Sequence, residues 1–132
     1  MAIGSKDLEA VLRFFSEAEE EFARAHDEQE LCEDRQQDIL HDLELVDHTH
    51  NERGHMGKEL TAIRRQRRAA KNAYELLTPL RQWLTENAHA MNILKRTLGE
   101  MRKIEDRQKN RIYRRKADGK GEIIGAARKE ES

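Results

Sequence analysis

The strongest constraint in this chain is a heptad seam. After Ser5, the residues Leu8, Val11, Phe15, Ala18, Phe22 and Ala25 alternate by three and four positions. The same register runs on through Gln29, Cys32, Gln36, Ile39, Leu43 and Val46. Apolar residues at that spacing keep one narrow stripe turned toward a partner helix, the coiled-coil condition. The chain has a single proline, Pro79, with long glycine-free runs on both sides, and β-signals are scarce. The expectation is an all-α fold of long helices with coiled-coil-like packing.

The helix ends come next. Ser5 suits an N-cap, and Asp7 places negative charge in the first turn. Asp27 followed by Glu30 has capping-box spacing, so the chain either starts a new helix there or runs on through it. Past Val46 the seam turns polar at His50 and Arg53. Gly54 and Gly57 follow, each about 1 kcal/mol worse than Ala in a helix interior, which predicts a bend or a close helix crossing. Leu60, Ile63, Ala70, Tyr74 and Leu77 resume the stripe. Thr78 suits an N-cap and Pro79 the first helical position, so a turn is expected there. Met91, Leu94, Leu98, Met101 and Ile104 form a last seam, with Gly99 as a point of close packing.

The resulting organisation has three parts. Residues 1–27 are an acidic, amphipathic N-terminal helical arm. Residues 28–115 are a helical hairpin: a long helix over about 28–77, a turn at 78–87 and a return helix over about 88–112. Residues 116–132, rich in Gly, Lys and Glu, read as a disordered tail.

Charged residues make up 39% of the chain and aromatics 5%, which is thin for a self-sufficient core. The chain is therefore expected to associate with itself as a homo-oligomer. The net charge of −1 conceals a polarity. Residues 1–52 hold 16 acids and 4 bases, a net of −12; the remainder hold 10 acids and 21 bases, a net of +11. Such asymmetry predicts an anionic partner for the second half, or mating of acidic and basic halves. Cys32 is alone, no apolar run is long enough to span a membrane, and the N-terminus has no apolar signal core and no myristoylation pattern. A cytoplasmic protein without a membrane partner is expected.

The candidate chemistry centres on IRRQRRAAKN, residues 63–72. On a helix, Arg64, Arg68 and Lys71 fall at i, i+4 and i+7 and share one face, with Arg67 at its border and Arg65 beside it. Arginine presents a planar donor fork that matches phosphate, so an anion site is one reading. A solvated face paired with the acidic half is the other. If the hairpin turns at 78–87, Lys95, Arg96, Arg102 and Lys103 come level with this stretch. Arg111, Tyr113 and Arg114 form a second set, in which a tyrosine among arginines can stack a base. Trp83 and Asn92 near the expected turn could add an aromatic face and a polar-edge reader, although Leu80 and Leu84 also place Trp83 in a core stripe.

Two patterns of metal-ligand type are present. His41, His48 and His55 are spaced by seven, so rings on one helix stand roughly 10 Å apart and cannot close a zinc site without a partner helix. Glu17, Glu20, Glu44 and Asp47 form E-x-x-E and E-x-x-D pairs. These resemble the magnesium-binding carboxylates of the all-α nucleoside triphosphate pyrophosphohydrolases, which implies a third, enzymatic reading. No Ser/His/Asp set, glycine-rich phosphate loop or cysteine cluster is present. The leading expectation is therefore a non-enzymatic protein that needs no cofactor or metal.

The blocks DILHDLEL (38–45), LTAIRRQRRAAKNAYELLTPL (60–80), LKRTLGEMRKIE (94–105) and NRIYRR (110–115) resemble a group of small helical proteins encoded by phages and prophages of Gram-positive bacteria. The chain departs from that group's Tyr-x-Pro-Arg ending, since Tyr113 is followed by Arg114 and Arg115. The resemblance implies a phage accessory protein of the bacterial host cytosol. Small oligomeric phage proteins include sponges that sequester nucleotide second messengers of bacterial defence, which implies a cyclic or ADP-ribose-type ligand on Arg64, Arg65, Arg68, Lys71, Arg111, Tyr113 and Arg114. A nucleic acid or a protein partner on the same basic face is the alternative.

Overall fold

A computed structural model describes residues 2–121, with side chains as far as Arg111. Three helices account for most of these residues: α1 (Ser5–Leu45), α2 (His50–Glu86) and α3 (Ala88–Gly121). Among the described residues there is no strand, and no helix is long and apolar enough to cross a membrane.

The chain divides into two compact units. One holds Phe14–Asn87, that is, most of α1 with all of α2. The other joins the first turns of α1, up to Arg13, to α3 from Ala88.

The first unit is an antiparallel helical hairpin. Contacts run in reverse order along the two helices: Phe15 with Trp83, Phe22 with Tyr74, Glu28 with Gln66. The seam read from sequence is the seam that is buried. Ala18, Ala25, Cys32 and Ile39 recur every seven residues on α1, facing Ile63, Ala70 and Leu84 of α2. Cys32, Ile39 and Ile63 form the tightest cluster, with Leu43, Met56 and Leu60 packed against it. Val11 and Val46, at the ends of the expected seam, are instead about half exposed.

The hairpin turn falls at 46–49, a position the sequence reading did not select. Thr49 takes an extended conformation (φ −72°, ψ 165°) and its hydroxyl accepts from the Glu52 N–H at 3.2 Å. The Glu52 carboxylate accepts from the Thr49 N–H at 2.8 Å, completing a capping box. This box lies where the seam has run out of apolar residues. The similar Asp27/Glu30 spacing lies where the seam is strong, and α1 passes it without a break. Burial of Ala25 and Cys32 on either side outweighs the local capping preference there.

Other expectations are corrected. Residues 78–86, expected to turn, continue α2, and Pro79 sits inside it. Leu77, Leu80 and Leu84 are half-buried or buried on both sides of the proline, so packing holds the helix together. Thr78 Oγ1 also donates to the Tyr74 carbonyl at 2.7 Å. The break comes only at Asn87 (φ −114°, ψ 29°), whose backbone and side-chain N–H groups both bond the Trp83 carbonyl at 2.9 Å. Gly54 and Gly57 do not break α2, and a Cβ at either would meet nothing beyond its own helix within 4 Å; the same absence overturns the expected close packing at Gly99.

In the second unit, Leu98 is buried and Met91, Leu94 and Met101 are half-buried at helical spacing. Ser5 does not serve as the expected side-chain cap. It is the first residue of α1, and its N–H and hydroxyl donate to the Glu105 carboxylate at 2.9 and 2.5 Å. Arg102 reaches Glu9 at 3.1 Å. α3 also runs past its expected end near 112 to Gly121, so residues 116–121 of the expected tail are helical; residues 122–132 lie outside the described residues.

Candidate functional site

The basic stretch 63–72 lies wholly on α2, and its residues separate into two groups. Ile63, Arg67 and Ala70 occupy the seam. Arg67 therefore points its stem across toward α1, where Nε and Nη2 donate to one oxygen of Glu33 at 3.2 and 3.1 Å. Gln66 Nε2 donates to Glu28 at 2.7 Å. Arg64, Arg65, Arg68 and Lys71 turn away from α1 and are exposed. None of the four has a carboxylate oxygen within 4.0 Å among the described residues. The acidic half of the chain thus engages only the seam-facing members of the stretch.

The geometry does not gather the candidate residues around one point. Trp83 stands twelve residues beyond Lys71 on the same helix, roughly 18 Å along the axis. Its ring stacks on Phe15, centroids 5.9 Å apart, with close to half of the residue still exposed. The core role for Trp83 is the one its contact supports. Asn92, Arg102 and Arg111 lie on α3 in the other unit, and Asn92 and Arg102 are roughly 15 Å apart along it. Asn92 is exposed, whereas Arg102 is paired with Glu9. Arg111 is half-buried, and its Nε has no hydrogen-bond partner among the described residues. Tyr113 and Arg114 belong to α3 by backbone, and their side chains lie outside the described residues.

Neither metal pattern survives as a site. The turn at 46–49 removes the histidine stripe, leaving His41 on α1, His48 in the turn and His55 on α2. His48 sits between Asp42 (3.4 Å) and Glu52 (3.5 Å) beside the turn, and its Nε2 has no hydrogen-bond partner among the described residues. Glu17, Glu20 and Glu44 all lie on α1, and Glu20 and Glu44 are roughly 36 Å apart along it, so they cannot share one ion. Among the described residues, His26, Asp27 and Glu30 bring donor atoms within 4.8 Å of one another; all three are exposed on one helix, where water competes for any cation.

The sequence reading missed an aromatic ladder beside this stretch. Tyr74 stacks on Phe22 at 4.6 Å and meets the His26 ring at 5.8 Å, while Arg81 lies 5.7 Å over Phe22. Both Phe22 and Tyr74 are seam positions, so the signal was present in the two stripes taken together. Cys32 is inert in this setting: burial pushes its thiol up, Glu28 adds to that, and Arg35 and Arg67 only partly oppose it.

These features define an all-helical protein with a hairpin-like arrangement and an exposed cationic face on α2. No family model, curated protein or solved structure matches the chain.

Proposed function

We propose that the chain is a non-enzymatic binding protein that holds a phosphate-bearing partner on the outer face of α2. The observation that carries this reading is the state of Arg64, Arg65, Arg68 and Lys71. They are like charges crowded within two turns, and they are exposed without carboxylate partners among the described residues, although α1 beside them is rich in acids. Arg64 and Arg68 at i, i+4 repel by about 0.2–0.5 kcal/mol, and an anion relieves that repulsion.

The ligand is extended, not compact. The cations lie in a row along a helix, and the Trp83 ring is too far away to close a nucleotide pocket with them. A nucleic-acid backbone presents phosphates in such a row. The resemblance to phage accessory proteins, which include non-catalytic sponges, is consistent with this role by analogy.

Anisotropy titration of a labelled oligonucleotide at several salt concentrations tests the reading. Neutralising about four phosphates gives a log–log salt slope of about −3, and Arg68→Glu weakens binding and flattens that slope. Salt-insensitive binding of a cyclic or ADP-ribose-type nucleotide, seen by calorimetry, would replace the polyanion with the compact ligand of a sponge. Binding of neither overturns the proposal.

A further inference from the structure

We propose that the flank of the hairpin opposite Arg64, Arg68 and Lys71 is where a second copy of this chain docks, with α1 of one copy lying antiparallel across α2 of the other.

A groove of roughly 300 Å³ runs between α1 and α2 on this flank, and its floor is Ala25, Ala69, Ala70 and Ala73. Alanine floors let a further helix approach closely, and nothing in the chain among the described residues fills this one. An exposed leucine stands at each end. Leu76 is 78% exposed and lies three residues from Ala73 and seven from Ala69, hence on the same flank of α2. Leu31 is 46% exposed and lies three residues from Glu28 and seven from Arg24, both of which line the groove. The pairs Glu28–Gln66 and Phe22–Tyr74 set the register of the two helices. They put Leu31 level with about Ile63 to Arg65 of α2 and Leu76 level with about Ala18 to Glu20 of α1. The hairpin therefore offers a knob at each end, on opposite helices, and an alanine hollow between.

That pattern is self-complementary. A twofold axis parallel to the hairpin lays α1 over the other copy's α2 in antiparallel fashion, and each leucine enters the hollow beside the opposite helix. Charge selects this arrangement. Asp27, Asp34 and Asp38 surround Leu31 on α1 and are exposed. Lys58 and Arg65 continue the matching flank of α2, are exposed, and line a shallow hollow with Ala62. The same register brings Asp38 opposite Lys58 when α1 crosses α2. Placing α1 on α1 would set carboxylates against carboxylates. Arg65 borders the anion-binding face, but Arg64, Arg68 and Lys71 lie on the other side of α2, so this inference does not rest on the proposed function.

Light scattering and sedimentation of the full chain across the micromolar range test it. The expected mass is twice the 15.5 kDa of one chain. Leu76→Glu, at a site the hairpin leaves in solvent, keeps the helical circular dichroism and raises the dimer dissociation constant at least about tenfold. Lys58→Glu also weakens the dimer, and adding Asp38→Lys restores it. Arg68→Glu leaves the dimer intact while weakening anion binding. A single-chain mass throughout, any assembly other than a dimer, an unweakened Leu76→Glu dimer or a failed charge-swap rescue overturns the proposal.

Discussion

Arg67 gives both Nε and Nη2 to one carboxylate oxygen of Glu33, tying the basic stretch of α2 to acidic α1 across the hairpin seam. About a third of the arginine side chain and nearly half of the glutamate side chain remain exposed, so the pair is screened by solvent. A double-mutant cycle of Arg67→Ala and Glu33→Ala, read by urea denaturation, is expected to give a coupling of about 0.5–1 kcal/mol. Arg67→Ala alone loses more than Glu33→Ala, because its stem also packs in the seam. Arg64→Ala and Arg68→Ala stay within about 0.5 kcal/mol of the parent or stabilise it, since each removes a like charge. Equal losses for Arg67 and Arg68 would refute the division of the stretch.

Acid should loosen the two helix starts. The Thr49 backbone N–H, with His48 nearby, holds the Glu52 carboxyl below the usual carboxylate range. The Ser5 hydroxyl and N–H, with Arg102 and Lys6 nearby, do the same for Glu105. Both groups ionise more readily folded than unfolded. Their contribution is therefore complete above the unfolded carboxylate range and drains away as pH falls through their folded values. Thermal melts from pH 7 to pH 3 should show Tm falling in that window, and Glu52→Gln and Ser5→Ala should each flatten the fall. Thr49→Ala should lower stability at neutral pH by about 1 kcal/mol.

Pro79 interrupts a helix that packing keeps intact. It supplies no N–H for the Glu75 carbonyl, and a proline inside a helix costs about 3 kcal/mol. Replacing it with Ala should raise stability by about 1–3 kcal/mol in chemical denaturation, with helicity unchanged or higher. A destabilised Pro79→Ala would mean that the packing of α2 relies on the distortion.

Gly54, Gly57 and Gly99 are helical residues where an added Cβ would meet nothing beyond its own helix within 4 Å. Each change to Ala should stabilise the chain by about 0.5–1 kcal/mol, measured by denaturant midpoint. Loss of stability at any of them would reveal a close neighbour at that position.

The seam was the most legible part of the chain. Leu8 through Leu43 were readable as one stripe because a seven-residue repeat constrains every position in it, and burial of Ala18, Ala25, Cys32 and Ile39 follows that repeat. The turn was misplaced because Thr78-Pro79 is a stronger local signal than Thr49-x-x-Glu52. Local signals state preferences of about 1–3 kcal/mol, which a packed seam on both sides can override. The candidate site was legible as a cluster of charge but not as a partition. Arg67 and Arg68 look alike in sequence, and one helical step decides which of them meets Glu33.

By itself, the sequence determined an all-α chain, an acidic first half, a basic second half and the residues of the buried stripe, because periodicity and composition are properties of the chain alone. Only the tertiary structure decided where the hairpin turns, which cations its own carboxylates engage, and which face of α2 remains free of them. Those depend on which helix lies beside which, and that is settled by the combined burial of many small residues, not by any single residue's preference.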